Sequence, residues 1–424
     1  MTRSGAACLQ KIPELWFPVP LEVCMKNLNP LIKLFFLVLL TLGAAQAQMP
    51  KKFNRIRSLG HDRIFARTDG EAQQNQALEP STPQAPRQPQ YMVNELGGRR
   101  ANDISESGQI VGNKEFAPGN RHAAFWPSSQ SAPIDLGTLP GLGTTAETSN
   151  PQREIVGYAF NDDLSVELPV FWTNTNSAPV ELPGLPAGLL SEVYNINPAG
   201  QIAGQFFSAD FSVERAVVWP NNNAAPVYLR QLSYEFPHGL AQSMNASGNI
   251  LGDACDADFV ECHAAFWASK TSSPVALASP EGEFIYTDVD LPGHAINGAG
   301  NMVGHAINAD YSAERAVFWA SSSSPAVILS TVGEFTNTFA ESISDNGQIV
   351  GNGYNDDFSR NRPFLWPNYT SQGIDLTTFF PAGSNWDLDS LFATSVNNRG
   401  EIIGTGSFKD GTVHNFVLIP VHGH

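Results

Sequence analysis

The stretch Ser342–Trp366 reads SISDNGQIVGNGYNDDFSRNRPFLW, and variants of it occur seven times. The glycine closing its IVG-like triplet serves as an anchor. It falls at Gly112, Gly157, Gly204, Gly252, Gly304, Gly351 and Gly404, spaced by 45, 47, 48, 52, 47 and 53 residues. Such a period means a repeat architecture. Downstream of each anchor an apolar run ends in Trp126, Trp172, Trp219, Trp267, Trp319 or Trp366, with Leu418 in the last copy. Anchor and Trp are 14 residues apart in the first copy and 15 in the next five, so the insertions lie elsewhere.

Each copy reads as short strands. The first is A-x-x-I-N, as in Ala340–Ser344. A turn N-x-x-G follows, as in Asn197–Gly200, Asn245–Gly248, Asn297–Gly300 and Asn397–Gly400. Asn tolerates left-handed backbone and Gly adopts positive φ without a Cβ clash, which is hairpin chemistry. The second strand is Q-I-V-G, the third A-F-x-W, and the fourth I-D-L, as in Ile134–Leu136 and Ile374–Leu376. The segments are β-branched and aromatic, bounded by Gly, Pro, Asn and Ser, and none shows a helical period. Four strands per unit at this period predict an all-β fold, a seven-bladed β-propeller. The seventh copy ends at Pro420-Val421 without a fourth strand. A spare one, Tyr91–Gly97, precedes the first copy, and the N-terminal strand is expected to complete the last blade and leave no open sheet edge. The second copy is the irregular one in sequence, because Arg153 stands where the turn glycine belongs.

Outside the repeats, residues 1–47 read as a secretory signal. Lys26 and Lys33 precede the apolar run Leu34–Leu40, and Ala45-Gln46-Ala47 supplies a cleavage site. Met25 would be a natural start. The alternative is an uncleaved anchor, for which the run is short. Residues 48–89, rich in Pro and Gln, read as a disordered linker. Residues 90–424 then form one domain, which grows by adding blades. The expected location is secreted or periplasmic, in a Gram-negative bacterium, with no membrane span after cleavage and a monomeric state.

The chain carries 24 basic and 41 acidic residues. Removing residues 1–47 takes away four Lys or Arg and two Glu, which leaves 20 against 39. That balance repels phosphate backbones and argues against nucleic acid as a partner. Cys255 and Cys262 flank the fourth repeat's long hairpin symmetrically, and in an oxidising compartment they are expected to pair.

Six residues after the anchor an aspartate recurs, as Asp163, Asp210, Asp258, Asp310, Asp357 and Asp410. All lie at the tip of the same hairpin. The two-to-three hairpins and the four-to-one connections share one face of a propeller, so these carboxylates are candidate binding residues for a sugar or calcium. The structural alternative is that they cap turns and keep blades apart. Calcium wants six to eight oxygens, and each tip offers two or three. No cofactor is otherwise implied, and no catalytic residue is picked out. G-x-S-x-G, H-E-x-x-H and P-loop motifs are absent. The Trp row is expected to be core.

The order I-S-x-x-G-Q-I-V-G (Ile104–Gly112), H-A-A-F-W (His122–Trp126) and D-L-G-T-L-P-G-L (Asp135–Leu142) resembles the HAF repeat family. Later copies depart from it at Arg215-Ala216-Val217 and Arg362-Pro363-Phe364. The resemblance implies an extracellular bacterial repeat protein and carries no defined activity or catalytic residue. The function expected is a binding or scaffolding module for an extracellular glycan or protein. The alternative is a propeller enzyme, a hydrolase or lyase acting on polysaccharide through acidic residues of the same face.

Overall fold

The computed structural model describes residues 90–289, 294–356 and 359–421. The expected signal and linker lie outside them. Seven sheets of four antiparallel strands form a ring. Blade six shows the pattern, with Asn337–Ile343 innermost, then Ile349–Tyr354, Asn361–Trp366 and the two-residue strand Ile374–Asp375 outermost. The seventh blade is completed by the N-terminal strand. Gln90–Leu96 runs antiparallel to Val413–Val421, from Gln90 opposite Val421 to Leu96 opposite Asn415. The only helical segment among the described residues is the 3-10 turn Leu376–Phe379. No helix among them is long and apolar enough to cross a membrane.

The anchor glycine has a steric cause. The innermost strand of a regular blade carries a bulge, for example between Ala340 and Ser342. The bulge pushes a backbone carbonyl against the second strand. A Cβ on Gly351 would lie 1.9 Å from the Phe339 carbonyl oxygen, and one on Gly157 would lie 1.9 Å from that of Thr145. Only a residue without a Cβ fits there. The turn glycines answer to a different need, since Gly200, Gly248, Gly347 and Gly400 all have φ between 73° and 80°. Arg153 adopts φ 65° in the same position, so the irregular second copy keeps the turn.

Core forms between blades. The six tryptophans are at most 1 % exposed. Five donate Nε1–H to a carbonyl at the end of the preceding blade, among them Trp172 to Leu136 at 2.8 Å and Trp366 to Ser330 at 2.9 Å. The turn asparagines also act between blades. Asn297 Oδ1 accepts from the backbone N–H of Ala299 and Asn301, and its Nδ2 donates to the Ser344 carbonyl of the next blade at 3.1 Å. Asn150, Asn197, Asn245 and Asn397 make the same reach to Asn197, Asn245, Asn297 and Ser105. A chain of amides therefore ties the floor of the ring.

Blade five departs from the pattern more than blade two does. Asp288 opposite His305 and Ile296 opposite Met302 are separated by residues 289–295. In blade six the equivalent positions, Phe339 and Ile343, are separated by 340–342 only. The long spacing before Gly304 thus includes an insertion within an inner strand, as well as variation in the connections between blades.

Candidate functional site

The described members of the aspartate series sit where expected, at exposed hairpin tips. Asp357 lies outside the described residues. Asp163 Oδ1 accepts from the Ser165 N–H and hydroxyl at 3.1 and 2.7 Å. Asp310 does the same with Ser312, and Asp410 with Thr412. Asp210 accepts from Ser208 and Ser212, and these bonds pull its carboxyl down to about 2. Each of these four carboxylates serves its own turn. At the fourth blade's tip the capping residue is Asp256, which accepts from Val260 N–H at 2.8 Å. There Cys255 and Cys262 face each other in register and form the expected disulfide. Among the described residues no group of three Asp, Glu, His or Cys is arranged to hold a metal ion.

The residue after the aspartate adopts left-handed backbone without being glycine. Leu164, Phe211, Phe259 and Tyr311 have φ of 54–60°. This geometry folds the aromatic ring back over its blade. Phe211 stacks on Phe207 at 5.4 Å, Tyr311 on Tyr286 at 5.4 Å, and Phe259 on His238 at 4.2 Å between centroids. On the same face Tyr234 is 96 % exposed, Ile285 44 % and Val260 43 %. All belong to blades three to five or to the connections between them.

Two buried clusters were not legible in the repeat. The first lies toward the floor, near the axis. Asp103 of blade one accepts from Thr148 of blade two at 2.9 Å and Ser395 of blade seven at 3.1 Å. His294, from the insertion of blade five, reaches it across the ring at 3.1 Å. Burial alone would raise the Asp103 carboxyl, but the His294 charge and the hydroxyl donors outweigh burial and hold it below the usual range. The Asp103 carboxylate in turn pushes His294 up to about 9. The second cluster is on blade three. Tyr194 donates to Glu192 at 2.5 Å, and Gln205 Nε2 donates to both Tyr194 Oη at 2.6 Å and Glu192 Oε2 at 3.1 Å. Burial, then Glu192, pushes the Tyr194 phenol well up and keeps it a donor. Burial also raises Glu214 to about 8, with the charges of Glu192 and Asp288 adding to it.

Fold and site together define the class of molecule, a closed seven-bladed β-propeller whose recurrent side chains serve the scaffold. No family model matches the chain, and no curated protein matches it. Among solved structures it is similar to the β-propeller domain of the Trilobed protease from Pyrococcus furiosus, at 9 % identity and TM-score 0.45, covering 77 % of this chain and 93 % of that one. It is also similar to YCF48 from Cyanidioschyzon merolae, at 9 % identity and TM-score 0.44, covering 77 % and 98 %.

Proposed function

We propose that the chain is an exported binding module that takes an extracellular glycan or protein on the face carrying the hairpin tips. The observation that carries this reading is the apolar sector of that face over blades three to five, where Tyr234, Val260 and Ile285 are 96, 43 and 44 % exposed. Exposed apolar groups gathered on one face mark interaction surfaces. The sector is braced beneath by the Phe259–His238 stack and the Cys255–Cys262 disulfide. The signal-like residues 1–47, and repeats in the order of the HAF family, support export.

The test immobilises the full chain and passes bacterial polysaccharides and extracellular proteins over it. Saturable binding that weakens about tenfold in Tyr234→Ala or Tyr311→Ala is the expected result, with no new reducing ends or unsaturated sugars appearing. Steady turnover of a polysaccharide would replace this reading with the hydrolase or lyase alternative. Binding indifferent to both substitutions, or no binding to any polymer, would overturn it.

A further inference from the structure

The seam between blades three and four differs from its neighbours at one position. In three other seams a threonine near the start of an inner strand accepts from the third strand of the blade before it. Ala123 N–H donates to Thr144, Ala264 N–H to Thr287, and Ala316 N–H to Thr338, at 2.9, 3.0 and 2.9 Å. Blade four has Gly239 there. A Cβ built on it would meet Ala216 Cβ at 3.6 Å and Ala216 N at 3.9 Å, an ordinary contact that leaves room for a side chain. The space that a threonine fills in three other seams is held here by a glycine hydrogen.

The Ala216 N–H borders that space, and acceptors lie on the same face of blade three. Glu192 pairs directly with Gln205, and Gln205 with Ala216. Directly paired residues share a sheet face, and so does Glu214, two residues from Ala216. Gln205 and Glu214 are 4 % and 2 % exposed, yet Gln205 Oε1 and Glu214 Oε2 have no hydrogen-bond partner. Blade six shows how such an amide can be satisfied on both atoms. Asn352 donates to the Ala393 carbonyl and accepts from the Ala393 N–H of the next blade. Gln205 instead spends its amide N–H on Glu192 and Tyr194. Two buried, unsatisfied oxygens on one face are costly unless a donor comes to them. Arg215, the residue after Glu214, alternates to the other face and donates from Nη1 to the Glu214 and Pro237 carbonyls.

We propose that this seam receives a primary ammonium group, the side chain of a lysine on a partner polypeptide, hydrogen-bonded by Gln205 Oε1 and Glu214 Oε2. Three features select this ligand. The unused atoms are acceptors, so the ligand brings donors. Glu192 and Glu214 lie on the receiving face, so it brings positive charge. The vacated space is that of a threonine side chain, which suits a slender alkyl stem and not a pyranose ring. The apolar sector above the seam suits the rest of the polypeptide. The proposal rests on the binding-module reading and names the chemistry of its partner.

The test titrates the full chain at pH 7 with Nα-acetyl-lysine methylamide, in two buffers of different ionisation enthalpy. Saturable binding of the ammonium is expected, with proton release to the buffer as Glu214 ionises to pair with it. Binding should weaken at least about tenfold in Glu214→Gln and in Gly239→Thr, which restores the threonine of the other seams. Thermal melts of both variants confirm that they fold. Asp162→Asn, an exposed tip residue of the same face, should bind as the parent does. Equal binding of the Nε-acetylated probe, full binding by Gly239→Thr, or no binding at about 1 mM probe would overturn the proposal. So would preference for glucosamine, which would make the ligand an amino sugar. If a polymer still binds in a Tyr234-dependent way while the lysine probe does not, this proposal falls and the binding-module reading stands.

Discussion

The floor of the ring and its opposite face both carry a polar residue that recurs from blade to blade, and the two do different work. On the floor the turn asparagines are buried and join one blade to the next, as Asn245 does by donating to the Asn297 carbonyl at 3.0 Å. On the other face the aspartates are exposed and bond within their own hairpin, as Asp310 does with Ser312. Recurrence therefore marks a repeated structural task in both places, and the task differs in what its loss should cost. The non-recurrent residues, Gly239 and His294 among them, are where the repeat leaves room for anything else.

The largest effect should come from the steric demand beneath both faces. Gly351→Ala places a methyl 1.9 Å from the Phe339 carbonyl oxygen, a backbone atom that has nowhere to go. A loss of about 3 kcal/mol or more is expected in urea unfolding. Gly347→Ala, where the backbone has φ 80° and the space is open, should cost about 1–2 kcal/mol. Equal losses would mean that the bulge, and not only the turn, can relax. Next comes the disulfide. Cys255 and Cys262 are seven residues apart, and chain entropy for so short a loop gives about 2–3 kcal/mol. The loss on reduction should appear in the melting of the parent and not of Cys255→Ser/Cys262→Ser.

Asn297→Ala tests the floor itself. It removes two caps within the turn and the bond to the Ser344 carbonyl, all at a residue 4 % exposed. About 2 kcal/mol should be lost, because buried partners are left unsatisfied. A loss below about 0.5 kcal/mol would erase the distinction between floor and tips.

The recurrent part of the molecule was open to reading because period and spacing survive in the chain. Blade number, the closing strand Gln90–Leu96 and the Cys255–Cys262 pair all follow from positions along it. The physical reason for the anchor glycine was not readable, since the bulge beside it leaves no residue signature of its own. Asn297 read as turn chemistry alone, because a reach to the next blade needs the ring to be closed first. The Asp103–His294 pair joins blades one and five, and no spacing rule connects residues that far apart. The seam at Gly239 is one small residue among many glycines until its neighbours are superposed on it.

The Asp103–His294 pair should make stability depend on pH on the alkaline side. His294 is raised from 6.5 in the unfolded chain to about 9 in the fold. Its contribution is complete below 6.5 and is lost as pH rises to and through about 9. The denaturation midpoint should therefore fall across that window, and His294→Gln should flatten the decline. The effect should be smaller than that of Asn297→Ala, because the His294 side chain is 40 % exposed and solvent screens it. A decline unchanged by His294→Gln would assign it to other groups.

The smallest effect belongs to the tips, and it decides what the aspartates are for. Asp310 is fully exposed, and its Oδ1 is already occupied by the Ser312 N–H and hydroxyl at 3.1 and 2.6 Å. Replacing it by Ala should leave the unfolding midpoint essentially unchanged, since water replaces both bonds. Calcium should then leave the melting temperature unmoved, and so should a chelator. The tip around Asp310 supplies two or three oxygens, far fewer than the six to eight the ion needs. A ligand at a hundredfold excess over its Kd stabilises the fold by about 2.7 kcal/mol, well within reach of a melt. A rise with calcium that Asp310→Ala abolishes would show that tips cooperate across blades as the floor does. The contrast between the two faces would then be one of ligand state and not of architecture.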